Sequence, residues 1–221
     1  MTSELNITPE ALLNIYRQGC FPMADSATDD AFYIVEPKVR GMIPIKDFHI
    51  SKSLVKTLKK DDFDIKFNEN FEDVINACQA RTKAKSGETE TWINDTIKSL
   101  FIELHKQGHA YCIEVWRDDV LIGGLYGLAL GNVFCGESMF SHASNGSKIA
   151  LVFLSAILDA TGFELLDAQF MNDHLLQFGA YEMPQADYLE HILKNKDKKN
   201  TLNTIEGDIV YELLASYLKN R

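Results

Sequence analysis

Residues 147–161 (SKIALVFLSAILDAT) read as a helix that is apolar on nearly every face. A helix with one apolar stripe needs cover on one side; one that is apolar all round must be enclosed. No apolar stretch here approaches the roughly 20 residues that cross a bilayer, so protein has to enclose it. The flanking segments supply the cover. Residues 110–116 are mostly apolar, Arg117-Asp118-Asp119 makes a turn, and residues 121–126 return as a hairpin. Gly131-Asn132 turns again into a strand over 133–140, and after Gly162 stops the helix, residues 163–170 form the next strand. A strand, a helix and a strand in that order predict a right-handed crossover onto one sheet.

Upstream, Thr8 and Pro9 punctuate a first helix with Leu12, Leu13, Ile15 and Tyr16 as apolar cover, and Gly19 ends it. Cys20-Phe21-Pro22-Met23 leaves as extended chain. Residues 32–45, with Pro37 and Pro44, predict a short edge strand and a loop. Asn68 stands as a cap before the helical face Phe71, Val74, Ile75 and Cys78; residues 81–91 read as a loop; Asn94 caps a helix that buries Ile97, Leu100, Phe101 and Leu104 and closes at Gly108. Tyr188, Leu189, Ile192 and Leu193 form a short helix, residues 194–200 a solvated linker, and Ile209, Leu213 and Tyr217 one face of a last helix. The chain divides into a small lobe (1–40), a larger unit (41–193) and a linker with a C-terminal helix (194–221).

A hydrophobic share of 46% against 24% charged residues is that of a globular protein. The net charge of −10 argues against a broad basic surface that coats nucleic acid. A local patch of Lys52, Lys56, Lys59 and Lys60 fits either one RNA end or a plain solvated helix face. Cys20, Cys78, Cys112 and Cys135 lie far apart, as reduced thiols do, and with no leader pattern a cytoplasmic location is expected.

Three positions carry chemistry. Asp167 and Gln169 alternate on the strand LLDAQF and would face one side of the sheet. Such polar residues need partners if buried, and either structural neighbours or an incoming amine would serve. Glu137 sits in the apolar stretch FCGESMF, where a carboxylate calls for a cation, from a substrate ammonium or from a lysine or arginine. Trp92 precedes a helix start, where it fits a nucleobase stack or the core. His105 and His109 have no third ligand or catalytic glutamate in the metalloprotease pattern, so no metal is expected. No GxSxG, Walker or Rossmann glycine pattern is present.

Taken together, residues 109–151 resemble the core of leucyl/phenylalanyl-tRNA–protein transferases, as do TWIN (91–94), LDAQF (166–170), NDH (172–174), FGA (178–180), YRQGCFP (16–22) and HISKS (49–53). The likeness runs in order from about Pro9 to Leu189. It implies an α+β, acetyltransferase-like (GNAT) mixed sheet with helices on both faces behind the small lobe. The implied reaction moves leucine or phenylalanine, sometimes methionine, from the 3′ end of aminoacyl-tRNA to an N-terminal arginine or lysine, marking the acceptor for N-end-rule degradation. By the same resemblance Gln169, oriented by Asp167, holds the acceptor amine, and Glu137 holds an ammonium group. Leu125, Phe134, Gly136, Ile149, Leu154 and Leu166 line the side-chain pocket, Trp92 packs on the terminal adenosine, and the four lysines meet acceptor-stem phosphates. A monomer without cofactor is expected, since an aminoacyl ester is already activated.

Departures are visible. Met23 stands where several family members have a tryptophan at the adenosine, Phe32 and Tyr33 replace tryptophans, and the helix after Lys194 lies beyond the usual family end. Two rivals remain. An acetyl-CoA-dependent enzyme would carry a Q/R-x-x-G-x-G/A turn, whereas residues 141–148 read SHASNGSK. A non-catalytic module would bind protein N-termini or tRNA ends without forming a peptide bond.

Overall fold

A computed structural model describes residues 7–28, 31–60, 62–80, 91–195 and 197–219. The loop expected at 81–91 lies outside these residues apart from Thr91. The chain opens with α1 (Pro9–Arg17), whose Thr8 side chain accepts from the Ala11 amide, and β1 (Phe21–Met23), which pairs antiparallel with β2 (Tyr33–Val35). Then come β3 (Val39–Ile43), α2 (Lys52–Lys60), β4 (Asp64–Phe67), α3 (Phe71–Gln79) and α4 (Asp95–Lys106). The meander β5 (Ala110–Arg117), β6 (Val120–Leu130) and β7 (Val133–Ser141) leads into α5 (Gly146–Ala160) and β8 (Leu165–Asp167). The chain closes with α6 (Asp173–Leu176), β9 (Tyr181–Pro184), α7 (Gln185–Asn195), a 3-10 turn and α8 (Ile209–Lys219).

The main sheet has the order β4-β5-β6-β7-β8-β3-β9. Every neighbouring pair in it is antiparallel except β7–β8, the parallel pair joined through α5. Alternate residues serve opposite faces: Tyr111, Ile113 and Val115 of β5 join the core around α5, whereas Ala110 and Cys112 join the core of α1, α3, α4 and α7. Both faces are therefore covered, in a mixed α+β fold. Within α5, Ile149 through Leu158 are all buried, as an all-round apolar helix requires.

Several expectations are corrected. Residues 32–45 do hold a short edge strand, β2, but the expected loop is largely strand: β3 runs inside the main sheet, between β8 and β9, with Pro37 and Pro44 flanking it rather than interrupting it. The boundary expected between residues 40 and 41 thus falls within β3, and Leu12, Leu13, Tyr16 and Phe21 share a core with Phe71, Phe101 and Tyr126. The strand expected over 163–170 ends at Asp167, because Gln169 adopts φ 64. Residues 194–200 are no free linker: α7 continues through Asn195, and Lys194 and Lys198 pair with Glu164 at 3.1 and 2.9 Å, holding its carboxyl down at about 2. Leu193 at the end of α7 is exposed. The buried face of α8 is Val210, Leu214 and Tyr217, packed on α5, while Ile209 is exposed.

Asn68 does not cap α3; it takes φ 66, and Asn70 precedes the helix without a side-chain cap. Glu114 of β5, fully buried, instead ties down the two residues that precede the helix. Its carboxylate accepts from the Glu69 and Asn70 amides at 2.8 and 2.7 Å, from Asn70 Nδ2 at 2.7 Å and from Trp116 Nε1 at 3.0 Å. Glu114→Ala strands these donors, each worth about 1–3 kcal/mol when left buried and unmade. Urea denaturation is expected to show a loss of about 3 kcal/mol or more, and a loss below about 1 kcal/mol would contradict this role.

Candidate active site

Where β7 and β8 part, the fold opens. Their parallel pairing covers only Val133–Cys135 of β7 and Leu165–Asp167 of β8, but β7 continues to Ser141. Into this gap opens a cleft of about 170 Å³. Gly136, Glu137, Ser138 and Met139 line it from β7, and Leu166, Asp167 and Ala168 from the β8 side. On the β6–β7 border the register shifts, with Tyr126 opposite Ser138 and Gly127 opposite Gly136, so Glu137 is the extra residue of a β-bulge. A bulge re-aims a side chain, and here it turns a carboxylate into the cleft.

Asp167 is held from two directions. Arg40 of β3 meets it at 2.9 Å, with both side chains fully buried. The Gln169 amide donates to Asp167 Oδ1 at 2.8 Å. Burial raises the Asp167 carboxyl, while the Arg40 guanidinium and the Gln169 amide pull it back. Arg40 also donates through Nε to Gln185 Oε1 at 3.2 Å and through Nη2 to the Gly19 carbonyl. Its guanidinium lies over the rings of Phe21 and Tyr188, at 5.0 and 4.3 Å. Sequence reasoning missed Arg40; the available signal was one charge inside the otherwise apolar VRGMI, between two prolines.

Gln169 follows from that anchor. Instead of alternating with Asp167 along a strand, it sits beyond the strand end in the left-handed region, its amide tied to Asp167 and its carbonyl accepting from Gly41. That conformation is uncommon for a non-glycine residue and persists only where the surroundings fix it. Gly41 makes the turn fit: a Cβ there would stand 2.8 Å from the Met171 nitrogen and the Phe170 carbonyl carbon. The contact between Asp167 and Gln169 thus runs through the Gln169 backbone amide.

Around Glu137 the polar atoms have no mates. Both of its carboxyl oxygens, the Tyr16 and Tyr126 hydroxyls and Gln169 Nε2 are buried without a hydrogen-bond partner. Tyr16 and Gln169 stand close enough to lower the Glu137 pKa, though neither closes to hydrogen-bond geometry. Burial dominates and pushes the carboxyl up to about 8, with Asp167 adding to the rise and Arg40 opposing it. Buried polar groups left unmade mark a place where a ligand or a solvent group can bind. Tyr16 and Tyr126 were read only as apolar cover or strand residues; nothing local in the sequence marks them.

The six residues expected to line the side-chain pocket are divided by the structure. Leu125, Gly136, Leu154 and Leu166 line the cleft, whereas Phe134 and Ile149 are wholly buried and lie outside the lining. Ile43, Met139, Leu151 and Leu175, not foreseen, complete it. Trp92 lines the same cleft; its carbonyl accepts from Ala24, the neighbour of Met23, and both Met23 and Trp92 are partly buried on one core. Lys52, Lys56, Lys59 and Lys60 are exposed on α2, whose Leu54 and Leu58 are buried. His105 stacks on Phe71 at 4.4 Å, and among the described residues no three potential metal ligands gather. Also among the described residues, no helix is long and apolar enough to cross a membrane.

The family model described as leucyl/phenylalanyl-tRNA protein transferase matches residues 42–193. The chain is 48% identical over 188 residues to a leucyl/phenylalanyl-tRNA–protein transferase of Novosphingobium aromaticivorans, covering 85% of this chain and 70% of the relative. Its counterpart from Nitrobacter winogradskyi is 48% identical over 187 residues, covering 85% and 82%. That from Phenylobacterium zucineum is 48% identical over 177 residues, covering 80% and 79%.

Two outcomes follow for stability. Arg40→Met leaves Asp167 buried without its cation and is expected to cost about 3–5 kcal/mol in urea denaturation. Adding Asp167→Asn should restore a large part; a double variant as damaged as the sum of both singles would contradict the coupling. Glu137, with a folded pKa of about 8, stays protonated where an unfolded glutamate has lost its proton. Stability from this group is full below the unfolded value near ~4.3 and is lost as pH rises through the folded one. Glu137→Gln should therefore gain on the parent by about 2 kcal/mol between pH 5.5 and 7.5; a pH-independent difference would contradict the buried neutral acid.

Proposed function

The chain belongs to the leucyl/phenylalanyl-tRNA–protein transferase family, and from that premise we propose that it moves leucine or phenylalanine, and methionine at times, from aminoacyl-tRNA to an N-terminal arginine or lysine of acceptor proteins. Members of the family are enzymes that transfer aminoacyl groups from tRNA to proteins. The product marks the acceptor for N-end-rule degradation in the cytoplasm, and the enzyme acts as a monomer. The parting of β7 from β8 beside a parallel crossover helix supports an acetyltransferase-like sheet.

One observation carries the reading. Within one cleft stand an apolar wall of Leu125, Leu154 and Leu166, a tryptophan, and the carboxyl groups of Glu137 and Asp167. The wall takes the leucine or phenylalanine side chain. Trp92 stacks on the terminal adenine, and Met23 packs nearby in place of a second ring. Gln169, held by Asp167, accepts an N–H of the acceptor amine and aims its lone pair at the ester carbonyl. Glu137 holds the ammonium. The exposed lysines of α2 meet acceptor-stem phosphates. Because the ester is activated beforehand, alignment and charge stabilisation suffice, and no cofactor takes part.

The acetyl-CoA reading loses support at the start of α5. The His142 and Ala143 amides donate to Ile122, Gly146 to Ala143, Ser147 to Ser141 Oγ and Ile149 to Asn145. Amides already engaged in this way are not free to cradle a pyrophosphate.

Incubation with leucyl-tRNA and an arginine-initiated peptide should add the mass of one leucine to the peptide. Gln169→Ala should lower kcat/KM by about 10²-fold or more with tRNA binding nearly unchanged. Leu125→Trp should exclude phenylalanine before leucine, and equal loss of both would displace the pocket. Replacing Lys59 and Lys60 by alanine should weaken tRNA binding and flatten its salt dependence.

A further inference from the structure

The five unpartnered polar atoms around Glu137 ask for more than an ammonium clamp. Tyr16 from α1, Tyr126 from β6 and Gln169 beyond β8 enclose the carboxyl from three separate elements, and all four side chains are buried. The charged and titratable groups facing it are Tyr16, Asp167 and Arg40, with Tyr126 and Cys135 also within its field. Arg40 is committed to Asp167, and among the described residues no salt bridge neutralises Glu137. Glu137 and Tyr126 line the cleft, so a ligand bound there can reach this ring.

Resting on the aminoacyl-transfer reading, we propose that Glu137 is the proton acceptor for the acceptor protein's N-terminal ammonium, and that Tyr16 and Tyr126 are positioning residues whose hydroxyls donate to its carboxylate. The site then binds amine and carboxyl with one proton between them. An ammonium N–H bond breaks, its electron pair stays on nitrogen, and the proton goes to a Glu137 oxygen. The freed pair attacks the ester carbonyl carbon. As the tetrahedral intermediate collapses, the C–O bond to the tRNA breaks and the terminal ribose oxygen takes a second amine proton. The amide keeps the third, and Glu137 releases the first to solvent. Nothing is oxidised or reduced.

One shared proton makes a distinctive pH signature. Below the amine's own pKa the free acceptor carries a proton too many. Above the Glu137 value of about 8 the empty site carries one too few, leaving a buried carboxylate facing a neutral amine. The kcat/KM for the acceptor peptide should therefore be bell-shaped, with its top near pH 8. The experiment measures that profile in the full-length protein from pH 6 to 9, with leucyl-tRNA, an arginine-initiated peptide, and correction for ester hydrolysis. Glu137→Gln, nearly isosteric, should cut kcat/KM at pH 7.5 by about 10²-fold and abolish the alkaline limb, so that activity keeps rising with pH. Tyr126→Phe and Tyr16→Phe each remove a donor to the carboxylate and should shift the alkaline limb upward, with thermal melts confirming the fold.

An alkaline limb that survives in Glu137→Gln, or is missing from the parent, overturns the proposal. So do tyrosine variants whose limbs do not move. If the parent transfers no leucine at all, the transferase reading itself has failed; if it transfers and the limb is wrong, only the proton role has.

Discussion

The buried ion pair between Arg40 and Asp167 is the constraint on which the rest of the site hangs. Two charges out of water stabilise a fold only when geometry and further hydrogen bonds are close to complete. Here the completion draws in the Gly19 carbonyl at the end of α1, Gln185 at the start of α7 and the backbone of Gln169. Four distant stretches of chain are thereby fixed relative to one carboxylate. The left-handed turn at Gln169, which a free peptide would avoid, is one product of that fixing.

Opposite this satisfied pair lies an unsatisfied one-sided cluster. Asp167 has its cation; Glu137, also lining the cleft, has no ion-pair partner among the described residues. Burial raises both carboxyls: at Asp167 the guanidinium and the Gln169 amide oppose the rise, whereas Glu137 is driven up to about 8. In the proposed reaction such a difference suits one carboxyl to positioning and the other to proton exchange.

Much of this was legible in the residues. The all-round apolar pattern of 147–161 forced an enclosed helix, and the turns at Asp118-Asp119 and Gly131-Asn132 set the meander, because both are local signals. Asp167, Gln169, Glu137 and Trp92 stood out as polar or aromatic side chains in apolar or helix-start contexts. The insertion of β3 between β8 and β9 did not show, since a pairing partner more than a hundred residues away leaves no local trace. Tyr16 and Tyr126 were invisible for a related reason: a tyrosine on an apolar face reads as core until a carboxyl is seen beside its hydroxyl. The bulge that turns Glu137 inward depends on register, which sequence patterns do not carry.

The late closure of the main sheet has a consequence for the newborn protein. β3 is made early, yet its two neighbours in the sheet, β8 and β9, lie near residues 165–184. Until those strands have left the ribosome, Arg40 has neither its carboxylate nor the Gln185 amide, and the turn that presents Gln169 has nothing to hold it. A nascent chain can assemble the hairpins of β5 to β7 and still be inert. Synthesis and competence are thus separated in time, and an enzyme of this family does not begin work while its own chain is half made.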